Sequence, residues 1–224
     1  MKHRKFGFYT LLVLSWLFLA CGAPAALPTA TSAAPASTLA VPTTEPINNP
    51  AAPAPPIIVG VEYILLDQAP RVARQAAALA PIGFGGAKHY AEHVEWGVMQ
   101  PAPDAAINFS RLDNFVSTFQ AHGFAELVIT LKSHSSWASV DARPLLGKNA
   151  SPKAEYRAAY ASWISQVVER YDGDGHDDMA GLQFPVRYYE IGSEFSSYEP
   201  EPVADYLTML GAAYQAAHAA YPDV

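Results

Sequence analysis

The chain has a single cysteine, Cys21, among its 224 residues, and few basic residues. One cysteine excludes an intrachain disulfide, so the stability of any folded part must come from a packed core. Lysine and arginine total 14 against 21 aspartates and glutamates. Because a nucleic-acid partner requires clustered lysine and arginine to neutralise phosphates, this composition argues against one. No GxGxxG or Walker pattern follows the first predicted strand, which argues against nucleotide binding.

The amino terminus combines basic residues at positions 2–5 with an apolar run, Phe6–Ala20. This run is too short for a comfortable membrane span but has the length of the hydrophobic region of a secretory signal. The run ends in Phe18–Cys21, a stretch that resembles the lipobox of bacterial lipoproteins. The resemblance implies a signal peptide over residues 1–20, acylation of Cys21, and an extracytoplasmic protein held on the membrane by its lipid. Ordinary signal cleavage and an uncleaved anchor remain alternatives.

Residues 21–56 form a Pro/Ala/Thr-rich segment. Nine of the 19 prolines lie between Gly22 and Pro56, and Glu45 is the one charged residue there. Such a composition cannot bury enough apolar surface to offset the entropy of ordering, so we predict an extended tether. Residues 57–224 remain for a folded domain.

Strand-like and helix-like patterns alternate four times within residues 57–224. The predicted strands are Ile57–Leu66, Ala87–Ala91, Glu126–Leu131 and Arg187–Ile191. Helical spacing of apolar residues follows each of them, after Pro70, from Ser110 to Gly123, from Ser151 to Tyr171 and after Pro202. This order predicts an α/β fold of right-handed parallel βα units, either a doubly wound sheet or a (β/α)8 barrel.

The fourth predicted strand ends in the sequence RYYEIGSEFSSY, Arg187–Tyr198. This segment resembles the acid/base strand of the clan of retaining (β/α)8 glycoside hydrolases, which closes on an Asn-Glu pair. Segments that begin at Trp96 (WGVMQPAP) and Leu131 (LKSHSSWAS) resemble other strand ends of the same clan. The resemblance implies that Glu194 protonates the leaving glycosidic oxygen and later deprotonates water. Ser193 stands where the clan has the asparagine.

The resemblance implies an oligo- or polysaccharide substrate bound at the carboxyl ends of the strands. Aromatic side chains there would stack on sugar rings. The predicted substrate contacts are Glu62, His89, Trp96, His134, Trp137, Ser193 and Tyr198. In the clan the nucleophile lies on strand seven, so we expect a barrel truncated after about four βα units and inactive as this fragment. A carbohydrate- or solute-binding lipoprotein without catalysis is the first alternative.

Residues His89–His93 have the sequence HYAEH, which matches the H-x-x-E-H pattern of inverzincin metallopeptidases. In that second alternative His89 and His93 bind zinc from one helix face, and Glu92 is the general base. Glycines before the segment and Gly97 behind it are unfavourable to a helix. A strand with His89 facing the barrel mouth is the competing interpretation.

An acidic loop, Asp172–Asp178, resembles carboxylate-rich calcium-binding loops. Asp172, Asp174 and Asp178 are the candidate ligands of a structural calcium ion. A solvated acidic turn is the alternative, since the loop lacks the glutamate that closes an EF-hand loop. No other cofactor is expected.

Overall fold

The computed structural model describes residues 58–140, 151–194 and 201–224. Four parallel strands form one sheet in the order β1–β2–β3–β4, with β1 at Gly60–Ile64, β2 at Gly86–His89, β3 at Glu126–Leu131 and β4 at Tyr188–Ile191. The helices are α1 at Ala69–Leu79, α2 at Trp96–Met99, α3 at Ser110–Ala121, α4 at Arg157–Glu169 and α5 at Val203–Ala220. The predicted series of four parallel βα units is confirmed.

The strand order distinguishes the two predicted architectures. In a doubly wound sheet the order reverses at a switch point, whereas each strand of a barrel pairs with the next one along the chain. The described strands pair β1 with β2, β2 with β3 and β3 with β4. This order is that of consecutive units in a (β/α)8 barrel.

The two faces of the sheet differ in polarity. Leu127, Ile129 and Leu131 of β3 are buried in one hydrophobic core with Trp163 of α4 and Phe115 of α3. Successive side chains of a strand point to opposite faces, so the alternate residues lie on the face that a barrel turns inward. The inward face carries a row of polar side chains, Glu62, Lys88, Thr130 and Glu190, one from each strand.

The start of α3 agrees with the sequence prediction, whereas that of α4 differs from it. Ser110 is the first residue of α3, and its backbone N–H donates to Asn108 Oδ1 at 3.0 Å. Ser151 and Pro152 precede α4, which begins at Arg157. Pro152 pairs with Ser139 in an isolated antiparallel bridge, and that extended backbone delays the helix.

Helices α3 and α4 are joined by Asp113, an acidic residue of the first turn of α3. Its carboxylate accepts hydrogen bonds from Arg170 Nε at 2.8 Å, Arg170 Nη2 at 2.7 Å and the Tyr171 hydroxyl at 2.7 Å. The Arg170 guanidinium also lies 4.6 Å from the centre of the Phe109 ring. A bidentate carboxylate–arginine pair has a fixed geometry, so it holds the two helices in register behind the sheet.

The predicted signal peptide at residues 1–20, the acylated Cys21, the tether at 21–56 and Tyr198 lie outside the described residues, so they stay predictions. Within the described ranges no helix combines the length and apolar character that a membrane crossing needs.

Candidate functional site

A cavity of about 190 Å³ lies at the carboxyl ends of the strands. In parallel α/β folds this edge of the sheet is where substrates bind. Every strand contributes to the lining, directly or through the loop that follows it: Glu62, Tyr63, Tyr90, Ala91, Glu92, Lys132, Ser193 and Glu194. The structure therefore brings together three of the predicted site residues, Glu62, Ser193 and Glu194.

The segment after β4 turns sharply into the cavity. The Gly192 N–H donates to the Leu131 carbonyl at 3.0 Å, and Gly192 has a left-handed backbone with φ of 76°. Glu194 is also left-handed, with φ of 51°, and its side chain is exposed. Glutamate rarely adopts this conformation, which persists where the surroundings hold it and is frequent at functional sites. The turn places Ser193 and Glu194 side by side in the cavity wall.

A buried lysine and a glutamate face each other in the cavity wall. Lys132 follows β3, its side chain is 3% exposed, and its Nζ lies 2.5 Å from Glu92 Oε1. An ammonium group with so little access to water requires a charged partner. The pair therefore fixes the position of the Glu92 carboxylate at the mouth of the barrel.

The polar side chains on the inward face of the four strands form salt bridges and a hydrogen bond with one another. Lys88 Nζ lies 3.1 Å from Glu62 Oε1 and 2.9 Å from Glu190 Oε2, and the Thr130 hydroxyl donates to Glu190 Oε2 at 2.6 Å. Burial disfavours the charged lysine, but its hydrogen bonds to Glu190 and Glu62 outweigh that effect and raise the pKa of Lys88. Glu62 thus lines the cavity as a carboxylate oriented by Lys88.

His89 lies elsewhere than the sequence analysis predicts. Its ring is fully buried on the helix side of the sheet, where it packs edge-on against Phe115 with ring centres 5.7 Å apart. The Thr130 N–H donates to His89 Nε2 at 3.0 Å, so the ring proton is on Nδ1 and is donated to the Tyr90 carbonyl at 2.9 Å. The side chain therefore connects β2 to β3 and does not face the barrel mouth.

The burial of His89 predicts a pH-dependent stability. Burial lowers its pKa from 6.5 to about 4, whereas the unfolded chain takes up this proton near 6.5. The folded state does not bind this proton until the pH falls to about 4, whereas the unfolded chain binds it near pH 6.5. The free energy of unfolding should therefore fall as the pH is lowered from 6.5 to 4. The slope is about 1.4 kcal/mol per pH unit, roughly 3 kcal/mol in all. Urea titrations at several pH values measure it.

His89→Gln is the matched variant, because its amide oxygen can still accept the Thr130 N–H while the side chain no longer titrates. The variant should be less stable at pH 7 and show a smaller loss of stability between pH 6.5 and 4 than the parent protein. Equal slopes in the two proteins would show that His89 is not the titrating group.

The two tryptophans predicted as sugar platforms take part in the core instead. Trp96 is fully buried, and its ring centre lies 4.7 Å from that of Trp137 and 6.2 Å from that of Trp163. Trp137 is half-buried and donates its Nε1–H to the Gln100 carbonyl at 2.9 Å. Neither ring lines the cavity.

His134 lies beyond β3 but not in the cavity lining. Its Nδ1 is 3.3 Å from Glu95 Oε2, and the side chain of Glu95 is buried. This contact connects the segment after β3 to the start of α2. The structure thus places His134 outside the cavity lining, in contact with Glu95.

The H-x-x-E-H residues do not form a zinc site. His89 belongs to β2, and His93 ends a single 3₁₀ turn, Ala91–His93, so the two histidines do not share a helix face. Zinc binds a lone pair on an imidazole nitrogen. The available lone pairs, on His89 Nε2 and His93 Nδ1, accept the backbone N–H groups of Thr130 and Leu66. The zinc interpretation is therefore wrong for this structure.

The acidic loop groups its carboxylates differently from the predicted calcium ligands. Oxygens of Glu169, Asp172 and Asp174 lie within 4.8 Å of one another. Asp178 instead accepts hydrogen bonds from the backbone N–H groups of Gly173 at 3.0 Å and Gly175 at 2.7 Å. Asp178 therefore closes the loop on itself, as expected for a self-capped turn.

Three cavity residues were not identified as site residues from the sequence: Tyr63, Tyr90 and Ala91. Lys132 follows a predicted buried strand directly, and a charged residue at that position is the signal by which the sequence indicates that it can reach the site. The position of Tyr63 in the cavity lining results from an irregular pairing of β1, and no pattern in the sequence predicts that irregularity.

Comparison with solved structures shows which fold contains this site. A monomeric beta-xylosidase from Caulobacter crescentus CB15 superposes with a TM-score of 0.52 and 17% identity over 75% of this chain and 34% of its own. A GH39 beta-xylosidase from Caulobacter crescentus gives a TM-score of 0.51 and 15% identity over 75% and 38%. The chain thus spans about a third of the length of either structure. At these identities the likeness shows the fold alone, a partial (β/α)8 barrel.

No protein-family model and no curated protein matches the sequence.

Proposed function

We propose that this chain provides the acid/base side of a retaining glycoside hydrolase site, with Glu194 as the acid/base residue and a saccharide as the substrate. One observation carries the proposal: Glu194 lies just beyond the carboxyl end of β4, in a left-handed backbone conformation, in the wall of the cavity to which all four strands contribute. In a barrel of this type that position is where catalytic groups lie.

The reaction assigns two successive steps to this carboxyl group. The protonated Glu194 gives its proton to the glycosidic oxygen as the bond to the sugar breaks, and the alcohol leaves. The resulting carboxylate then takes a proton from the water that attacks the sugar anomeric carbon, which restores the acid. A second carboxylate bonds to the anomeric carbon as the alcohol leaves, and the attacking water breaks that bond in the second step. The resemblance assigns this carboxylate to strand seven.

The other cavity residues fit substrate contacts. The carboxylate of Glu62 is held by Lys88, so it offers fixed acceptors to sugar hydroxyls. Glu92 lies in the same wall, paired with Lys132. Ser193 precedes the acid/base residue and offers a hydroxyl that both donates and accepts. Oriented acceptors around a small cavity suit a neutral, hydroxyl-rich ligand.

The test is to measure binding and turnover with one set of saccharides. We expect the protein to bind xylobiose or cellobiose, and a barrel that combines this chain with a strand-seven carboxylate to hydrolyse an aryl β-xyloside or β-glucoside. The proton NMR spectrum of the first product formed should show the β-anomer, since two displacements retain the configuration. Release of the α-anomer first would contradict the retaining mechanism.

A second function, carbohydrate binding without hydrolysis, is favoured by Ser193. The serine side chain is shorter than the asparagine that the clan has at this position, so it reaches less far toward a sugar hydroxyl. Saccharide binding without any turnover of aryl glycosides, even when the strand-seven carboxylate is present, would support this second function, and the absence of both would exclude the two together.

A further inference from the structure

The pairing of β1 with β2 contains one extra residue. Val61 pairs with Ala87 and Ile64 pairs with His89, so β1 advances three residues while β2 advances two. An insertion of this kind is a β-bulge, which changes the direction of a side chain and is frequent beside active sites. In a regular strand Glu62 and Tyr63 would point to opposite faces. With the bulge, both line the cavity.

The bulge holds Tyr63 in an unfavourable backbone conformation. Its φ of 79° is left-handed, a region that bulky residues rarely adopt. Within residues 58–140, 151–194 and 201–224, three non-glycine residues have positive φ, and two of them, Tyr63 and Glu194, line this cavity. Glycine would be favoured at position 63 by the backbone alone, so the tyrosine ring is kept at an energetic cost.

The Tyr63 ring is supported by other aromatic rings and is still accessible. Its centre lies 4.7 Å from that of Tyr90, and the Tyr90 ring packs edge-on against His93 at 5.1 Å. His93 is fixed in turn by the Leu66 N–H, which donates to its Nδ1 at 2.9 Å. Tyr63 nevertheless remains 64% exposed. A large ring that is both held in place and open to solvent is suited to stack on a ligand.

We infer that Tyr63, supported by Tyr90, is the platform on which a sugar ring of the substrate stacks in the cavity that contains Glu194. The inference rests on the proposed function and adds a specificity residue to it. The C–H groups of a pyranose pack against an aromatic face, while hydroxyls at the ring edge reach the carboxylate of Glu62 in the same wall. An apolar face in the same cavity as an oriented carboxylate suits an uncharged sugar.

Three substitutions of Tyr63 test the platform, with the dissociation constant for xylobiose measured by calorimetric titration. Tyr63→Ala should weaken binding about tenfold, because the stacking face is lost. Tyr63→Phe should bind within about twofold of the parent protein, because the ring is kept. Tyr63→Gly should bind as weakly as the alanine variant, although its melting temperature should equal or exceed that of the parent, since glycine accepts the left-handed backbone.

The glycine variant separates stacking from folding. If Tyr63 acted only by shaping the strand, the glycine variant would bind like the parent protein, and that result would overturn the platform. Tyr214→Ala is the matched control: Tyr214 lies on α5, is 60% exposed and packs against His218 with ring centres 4.0 Å apart. It does not line the cavity, so binding should be unchanged.

The outcomes also separate this inference from the proposed function. If the parent protein binds xylobiose and Tyr63→Ala binds it equally well, the platform is wrong and the proposed function stands. If the parent binds no saccharide at all, the proposed function fails and the platform fails with it.

Discussion

In a barrel that combines this chain with a strand-seven carboxylate, replacing Glu194 with glutamine should lower the turnover of glycosides with poor leaving groups by about 100-fold to 10 000-fold. The amide keeps the size and position of the side chain, but it has no acidic proton for the departing oxygen and cannot take one from water. Substrate binding should change little, so the loss should be in kcat. Steady-state kinetics with an aryl β-xyloside and an alkyl β-xyloside measure the effect.

Two further measurements make the assignment of Glu194 specific. A dinitrophenyl leaving group needs little protonation, so the glutamine variant should form the sugar–enzyme intermediate from it almost normally and then stall. In Glu194→Ala, where the smaller side chain leaves room for azide, azide should release the stalled intermediate as a glycosyl azide, because azide attacks without a general base. Azide release in Glu194→Ala but not in the parent protein would be characteristic of an acid/base residue.

Glu126→Gln is the control for the loss of a carboxylate from the sheet. Glu126 begins β3, at the amino end of the strand, and lies outside the lining of the cavity. Its substitution should leave turnover unchanged. If Glu194→Gln hydrolyses the alkyl xyloside as fast as the parent protein does, the acid/base assignment is wrong.

The order of elements could be predicted from the sequence because it depends on local patterns. The β-branched and apolar run at Glu126–Leu131 is one strand in the structure, with the predicted bounds. The apolar spacing of α5 likewise continues from Val203 to Ala220. Parallel pairing follows from alternation, since a helix between two strands returns the chain to the same end of the sheet.

The position of Glu194 could also be predicted from the sequence, because the carboxyl end of a parallel strand is a topological position. The direction of a side chain at that edge could not be predicted from the sequence, because it depends on contacts with distant residues. His89 illustrates this: it lies on β2 as predicted, but the Thr130 N–H and the Phe115 ring hold it on the helix side. Tyr63 is the opposite case, turned into the cavity by one extra residue in β1.

The acidic loop and the H-x-x-E-H segment show why short polar motifs mislead. Both patterns have enough ligand atoms for a metal ion, but backbone N–H groups already bind many of those atoms. Buried or turn-forming backbone amides need acceptors. A nearby carboxylate or imidazole satisfies that need as readily as it would bind a metal.

Trp96→Ala should be the most destabilising of the substitutions considered, at about 3 to 5 kcal/mol in the free energy of unfolding. Trp96 is 0% exposed, packs on Trp137, Tyr160 and Trp163, and donates its Nε1–H to Gln100 Oε1 at 2.9 Å. Alanine would leave a cavity among three aromatic rings and remove the donor to the amide. Small domains have about 5 to 15 kcal/mol of stability, so a large part would be lost.

A second substitution of Trp96 distinguishes a role in the core from the role as a sugar platform that the sequence suggests. Trp96→Phe keeps most of the buried ring, so it should cost less than the alanine variant and leave xylobiose affinity within about twofold. Urea unfolding followed by circular dichroism is the suitable measurement, because tryptophan fluorescence would change with the substitution itself. If the Trp96→Phe protein unfolds like the parent but loses saccharide binding, Trp96 contacts the substrate and its role is not confined to the core. The structure predicts the opposite result, because the ring is enclosed by protein and does not reach the cavity wall.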